Sequence, residues 1–330
     1  MVKARAIGAL MLAMAVIPAT GCTDDAGAVP KITSTARPGV APTPPAQGAY
    51  FGATVAAPGD PSARQRDRAA ELVRLEEALG RKADIAHTYR SWAQPFPQAA
   101  DLKMLDGTRF LLVSWSGGDT REIAAGRHDA LIRDRARAIK ATGKPIFLRW
   151  EREMDRPGLR AKVHSPADYI AAWKHLREVF RGQGVHNVAW VWCPTAAGSG
   201  AAGAYYPGDD QVDWICTGAF PGVEHDYRDL ADSLLKFLDW AEERPKPIMI
   251  GEFGVPRAYR ERRAEWLRSA AQTLQNPRIK AVVYYNSDAG SRDDPRRQYT
   301  VTGDPTATAA LRELATSPYF NPRSLPVDSG

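Results

Sequence analysis

Eight short runs rich in β-branched and aromatic residues recur along the chain, and most are separated by stretches with helical spacing. The predicted strands are Tyr50 to Val55, Ile85 to Tyr89, Phe110 to Trp115, Ile146 to Trp150, Val188 to Cys193, Trp214 to Thr217, Pro247 to Gly251 and Ala281 to Asn286. Helices are predicted at Arg68 to Leu79, His128 to Lys140, Asp168 to Phe180, Tyr227 to Trp240 and Arg260 to Leu274. Parallel strands need crossover connections, and an eighth strand can pair with the first. Eight such units in about 270 residues predict an α/β fold, a single (β/α)8 TIM barrel. A doubly wound open sheet is the structural alternative. No G-x-G-x-x-G or G-x-x-x-x-G-K-[ST] follows any strand, so nothing supports a nucleotide, and no cofactor is expected.

The ends of the chain read differently. Met1-Val2-Lys3-Ala4-Arg5 is basic, and Ala6 to Val16 is an apolar run of 11 residues. That is too short to cross a hydrocarbon layer of about 30 Å as a helix, and it reads as an export signal over residues 1–21. Small residues before Cys22 look like a bacterial lipobox, so Cys22 is the expected lipidation site, with simple cleavage and secretion as the alternative. The expected location is the extracytoplasmic face of the cell membrane, held by the lipid. Residues 22–48, dense in Pro, Thr and Ala, read as the lipidated cysteine and its tether, residues 49–318 as the barrel domain and 319–330 as a C-terminal tail. Two other cysteines remain, Cys193 and Cys216, either bridged or packed as free thiols. The six histidines are dispersed, and no metal site is expected. With 44 Lys+Arg against 38 Asp+Glu and no basic stripe, nucleic acid is excluded as a partner. A monomer is expected.

In a barrel, chemistry sits at the carboxyl ends of the strands. The fourth strand runs into Arg149-Trp150-Glu151-Arg152-Glu153-Met154-Asp155, and the seventh into Gly251-Glu252-Phe253-Gly254. Arg149, Glu151 and Glu153 share parity, so a continuing extended backbone would turn all three to one side. Carboxylates at a barrel mouth need partners. They either perform chemistry or form an ion pair with Arg149 or Arg152 that only closes the barrel. Trp92, Trp115, Trp150 and Trp192 gather at the same predicted rim, where indoles would offer flat apolar platforms to a ligand, with core packing as the alternative. Trp214 is assigned to the core.

At these residues the chain resembles glycoside hydrolase family 26, which contains many β-mannanases. F-L-R-W-E-R-E-M-D (147–155) is similar to that family's strand-4 stretch. L-E-E-A-L-G-R-K (75–82), Y-R-S-W (89–92), V-S-W-S (113–116), N-V-A-W-V-W-C-P (187–194), Y-Y-P-G-D-D-Q-V-D-W-I (205–215) and I-M-I-G-E-F-G (248–254) follow in family order. The resemblance covers residues 49 to 317. It implies a retaining glycosidase cleaving β-linked polysaccharide, β-1,4-mannan foremost, with Glu153 as acid/base and Glu252 as nucleophile. It also implies that Arg149 partners the nucleophile and that Asp155, Phe220 and Tyr285 join the tryptophans in binding substrate.

Three departures stand out. Arg152 replaces the usual His before the acid/base, Asp155 replaces the Asn two places after it, and Phe220 stands where a tyrosine commonly bonds the nucleophile. Arg152 is therefore expected to pair with Glu151 or Asp155, which would leave Glu153 free to act as an acid. The alternative function is a catalytically impaired barrel serving as a surface glycan-binding lipoprotein.

Overall fold

A computed structural model of the chain describes Met1 and residues 41–55, 67–105, 107–196, 199–221, 228–288 and 294–328. The predicted signal, Cys22 and the tether up to residue 40 lie outside the described residues. The eight expected strands are present: β1 (Tyr50–Val55), β2 (Ile85–Ser91), β3 (Phe110–Ser116), β4 (Ile146–Trp150), β5 (Val188–Trp192), β6 (Trp214–Ala219), β7 (Ile248–Phe253) and β8 (Ile279–Asn286). They form a closed barrel in sequence order, every pair parallel, with β8 returning to β1. This is the (β/α)8 architecture, and the open-sheet alternative is excluded.

The crossovers are α1 (Arg68–Leu79), α2 (Ala99–Met104), α3 (Asp129–Thr142), α4 (Pro166–Gly182), α5 (Ser199–Ala202), α6 (Leu230–Glu242), α7 (Arg263–Thr273) and α8 (Pro305–Thr316). Their ends follow local chemistry. Asp67 caps α1 through the Ala69 amide, and the helix stops at Gly80 in the left-handed region, φ 69°. Ser165 caps α4 and Pro166 opens it. Helices α2 and α5, of six and four residues, are too short for a 3.6-residue pattern to show, which is why they escape a reading of the sequence. The predicted helix from Arg260 begins later because Arg260 is kinked at φ 47°.

Strand alternation divides the side chains into two shells. Phe51, Leu111, Leu148 and Trp190 face the helices, while Tyr50, Leu112, Phe147, Val191, Trp214, Met249 and Val283 fill the lower lumen. Trp214 meets Phe147 edge-on at 5.1 Å, as a core residue should. One step further along the strands the inward positions turn polar: Thr54, His87, Ser114 and Arg149, all buried. The lumen is thus an apolar plug beneath a polar upper layer. Cys193, just beyond β5, and Cys216 of β6 both belong to the lumen and are joined by a disulfide, which resolves the alternative of two free thiols.

The base of the barrel is covered by chain that the sequence marks as tether and tail. Pro42 and Thr43 offer carbonyls to the Trp214 indole at 3.3 Å and the Tyr50 hydroxyl at 3.1 Å, and Ala41 is buried. At the other terminus Phe320 is fully buried, Arg81 donates to its carbonyl at 2.7 Å, and the Asp328 amide donates to Gly80 at 2.8 Å. Neither segment shows an apolar period. Their role rests on carbonyls meeting donors at the strand starts, supplemented by single buried side chains. Phe320→Ala is expected to cost about 3–5 kcal/mol, the range for emptying a buried aromatic site. A denaturant midpoint unchanged from wild type would contradict this packing.

Candidate active site

The upper layer of the lumen is one connected polar network. His87 Nδ1 lies 2.6 Å from the Thr54 hydroxyl, and its Nε2 lies 2.7 Å from the Ser114 hydroxyl. Arg149 donates through Nε to the same Ser114 oxygen at 2.8 Å and reaches His87 Nε2 at 3.1 Å with a terminal nitrogen. A guanidinium can only donate, so Nε2 accepts and Nδ1 carries the proton toward Thr54. Burial, reinforced by the adjacent Arg149, pushes the His87 pKa well below its ordinary value. His87 is therefore a neutral orienting group.

Arg149 delivers its charge to Glu252, with 2.5 Å between guanidinium and carboxylate. Simple alternation would not bring them together. Ile248, Ile250 and Glu252 share parity, and both isoleucines face the helices. The register slips, so that Thr217 of β6 faces Ile250 but Gly218 faces Glu252, leaving Gly251 as the extra residue of a bulge. The bulge turns Glu252 into the lumen. Gly251 is required there for space: a Cβ on it would stand 2.6 Å from both an Arg149 nitrogen and the Cys216 sulfur.

Burial by itself would raise the Glu252 pKa. The guanidiniums of Arg152 and Arg149 outweigh it and bring the value down to about 2. The same charge raises the pKa of Arg152, and it adds to burial in raising those of Tyr89 and Tyr285.

Glu153 reaches the site by another route. β4 ends at Trp150, and Glu151 and Glu153 both take left-handed backbone, φ 42° and 58°. The expected shared face of Arg149, Glu151 and Glu153 is thereby overturned: the chain leaves the extended state after Trp150. For residues with a Cβ this conformation costs about 1–2 kcal/mol each. The turn is pinned by the Glu151 amide on Trp115 O at 2.9 Å, the Glu153 amide on Cys193 O at 2.6 Å, and the Glu151 carboxylate on the Gly117 amide. Asp155 accepts from the Thr195 amide at 2.9 Å and from its hydroxyl, which makes it a brace for the turn.

The expected pairing of Arg152 with Glu151 or Asp155 is also overturned, since both acids have other partners. Arg152 instead donates to Glu153 at 2.6 Å and lies 3.8 Å from Glu252, with its guanidinium over the Tyr89 ring at 5.4 Å. Arg156 donates to the second Glu153 oxygen at 2.7 Å. One guanidinium therefore touches both acids, and a second holds Glu153 from outside.

Of the aromatic residues expected at the rim, Trp115, Trp150 and Trp192 are fully buried in the shell between strands and helices. Their parity along β3, β4 and β5 points them outward, with Trp150 stacked on Tyr169 at 5.2 Å and Trp192 set against Tyr206 at 5.0 Å. They are core residues and cannot meet a substrate. Trp92 is half-buried, stacked on Trp115 at 4.3 Å over Gly117 and Gly118. The aromatic wall that does gather is Phe220, Tyr285 and Tyr299, with ring centroids 5.0 to 5.7 Å apart, and Tyr89 packs against the same group. Phe220 and Tyr285 are among the expected site residues. His87 was legible only as part of the inward parity set Ile85, His87, Tyr89; Tyr89 also opens the Y-R-S-W stretch, and Tyr299 carried no signal.

Comparison with known proteins adds an independent view. The chain is 27% identical over 269 residues to Endoglucanase H of Acetivibrio thermocellus, covering 75% of this chain and 29% of that protein. It is 30% identical over 152 residues to the beta-1,3-xylanase TXYA of a Vibrio species, covering 44% of this chain and 31% of the other. The chain thus spans less than a third of the length of either relative. No family model matches it. In fold it is similar to a GH26 beta-mannanase from Bacteroides ovatus, with TM-score 0.60 and 14% identity over 83% of this chain and 90% of that one.

The depressed Glu252 pKa has a stability consequence with a definite sign. A carboxylate lowered from 4.5 to about 2 contributes stability that is complete above its unfolded value and is lost as pH falls from about 4.5 toward 2. Wild type is expected to lose stability more steeply than Glu252→Gln over that window. Parallel acid limbs in denaturant titrations at several pH values would show that Glu252 is not held ionised.

Proposed function

We propose that this chain is a retaining glycoside hydrolase acting on β-linked polysaccharide, with β-1,4-mannan the leading neutral candidate. The observation that carries the reading is the split between its two acids. Glu252 is buried and held ionised by Arg152 and Arg149 at the C-terminal face of the barrel, while Glu153 stands across one guanidinium from it, 17% exposed. Glu252 attacks the anomeric carbon as the glycosidic C–O bond breaks, and Glu153 gives its proton to the leaving oxygen. Glu153, now a base, then takes a proton from water, whose oxygen displaces Glu252 and restores both groups. Thr54, His87 and Ser114 keep Arg149 aimed at the nucleophile and touch no substrate. The similarity to an endoglucanase and a beta-1,3-xylanase supports glycan hydrolysis, and the fold shared with a beta-mannanase supports the mannan assignment.

Two observations favour a second reading, a barrel that binds glycan without cleaving it. Both oxygens of Glu153 are engaged by guanidiniums, and Phe220 brings no hydroxyl to Glu252. Glu153→Ala is expected to lower turnover by about 10²–10⁴-fold, the range for a general acid/base, and Glu252→Ala by at least as much. Azide should rescue each variant with opposite stereochemistry: an α-glycosyl azide from Glu252→Ala and a β-glycosyl azide from Glu153→Ala. Hydrolysis at wild-type rates in either variant removes the assignment, and a wild type inactive on every β-glycan selects the binding reading.

The same proposal places the domain outside the cytoplasmic membrane, tethered through acylated Cys22, on the strength of the N-terminal residues alone. Cys22→Ala is expected to move the protein from the membrane fraction to the soluble fraction. Unchanged fractionation would refute the anchor.

A further inference from the structure

The pair of acids is surrounded by more positive charge than it can neutralise. Three guanidiniums, Arg149, Arg152 and Arg156, contact two carboxylates, Glu153 and Glu252. The other acids nearby, Glu151 and Asp155, are hydrogen-bonded to the Gly117 amide and to Thr195 and form no ion pair with these arginines among the described residues. Arg149 is buried and fixed by Ser114, His87 and Glu252. Arg152 and Arg156 differ: their side chains are 30% and 58% exposed, on the solvent side of Glu153. The Arg152 Nε is buried and has no hydrogen-bond partner among the described residues.

Each oxygen of Glu153 thus already accepts from a guanidinium, and these two donors crowd the group that must hand a proton to a leaving oxygen. A neutral sugar offers hydroxyls, which are weak competitors for a guanidinium held by a carboxylate. A carboxylate on the sugar offers the same planar, bidentate geometry that Glu153 offers now.

We propose that the natural substrate is an anionic β-glycan, bearing a carboxylate on the sugar beside the scissile bond, and that Arg152 and Arg156 transfer from Glu153 to that carboxylate on binding. The inference rests on the glycosidase reading and names its substrate class. Arg152 and Arg156 then serve as specificity determinants and as a latch, because only a ligand carrying its own carboxylate frees Glu153 for proton transfer.

The test uses matched pairs that differ only at C6: β-1,4-linked oligomannuronate against manno-oligosaccharide of equal length, and oligoglucuronate from oxidised cellulose against cello-oligosaccharide. Calorimetric titration of the wild-type protein is expected to show at least one acidic member binding about ten-fold or more tightly than its neutral twin, the scale of a charge-assisted hydrogen bond. The preference should shrink with added salt and fall several-fold in Arg156→Gln, whose exposed side chain makes misfolding no confounder. Neutral twins binding as well as both acidic members would overturn the proposal. So would an acid preference that survives in both Arg152→Gln and Arg156→Gln. Reducing-end release is read separately: cleavage of neutral glycans without acid preference keeps the hydrolase and removes this inference, whereas acid-selective binding without cleavage of any glycan does the reverse.

Discussion

The ion pair between Arg149 and Glu252 is the constraint around which the upper half of the barrel is arranged. A carboxylate enclosed by eight strands cannot remain charged unless a cation reaches it, and a cation enclosed there needs its remaining donors satisfied. Arg149 meets the second requirement through Ser114 and His87, and His87 in turn through Thr54. Five strands, β1, β2, β3, β4 and β7, thus contribute one inward residue each to keep a single negative charge in place. Below them the lumen is apolar, so the polar layer sits on a packed floor that water does not enter.

Glu153 is held by different physics. Its position comes from a turn with two left-handed residues, pinned to β3 and to the end of β5 by backbone hydrogen bonds. Strain of this kind persists only where surrounding contacts enforce it. The nucleophile candidate is thus fixed by electrostatics within the barrel, and the acid/base candidate by backbone geometry at its edge. Substitution of Arg156, whose ion pair is with Glu153, can alter the second without disturbing the first.

The eight strands were legible because buried parallel strands leave dense β-rich runs, and the acids were legible because each ends such a run. What sequence could not show was direction. Parity assigned Glu151 to the same side as Arg149 and gave no warning that β4 stops at Trp150. It would have sent Glu252 outward with Ile248 and Ile250, since a bulge leaves no mark beyond a glycine. The tryptophans misled for a related reason: Trp115, Trp150 and Trp192 stand near the strand ends, where a rim is expected, yet their parity belongs to the helix-facing shell. Proximity along the chain to a site is a weaker guide than the side of the strand a residue occupies.

The bulge at Gly251 bears on how chains of this shape should be compared. Both acids and Arg149 could be retained while any larger residue at position 251 displaced the guanidinium from Glu252, leaving Arg152, 3.8 Å away, as the carboxylate's remaining cation. Such a descendant would keep every residue by which a hydrolase is recognised and still hold its buried acid differently. How a related barrel holds that acid is therefore written as much in the absence of one methyl group as in the presence of two glutamates.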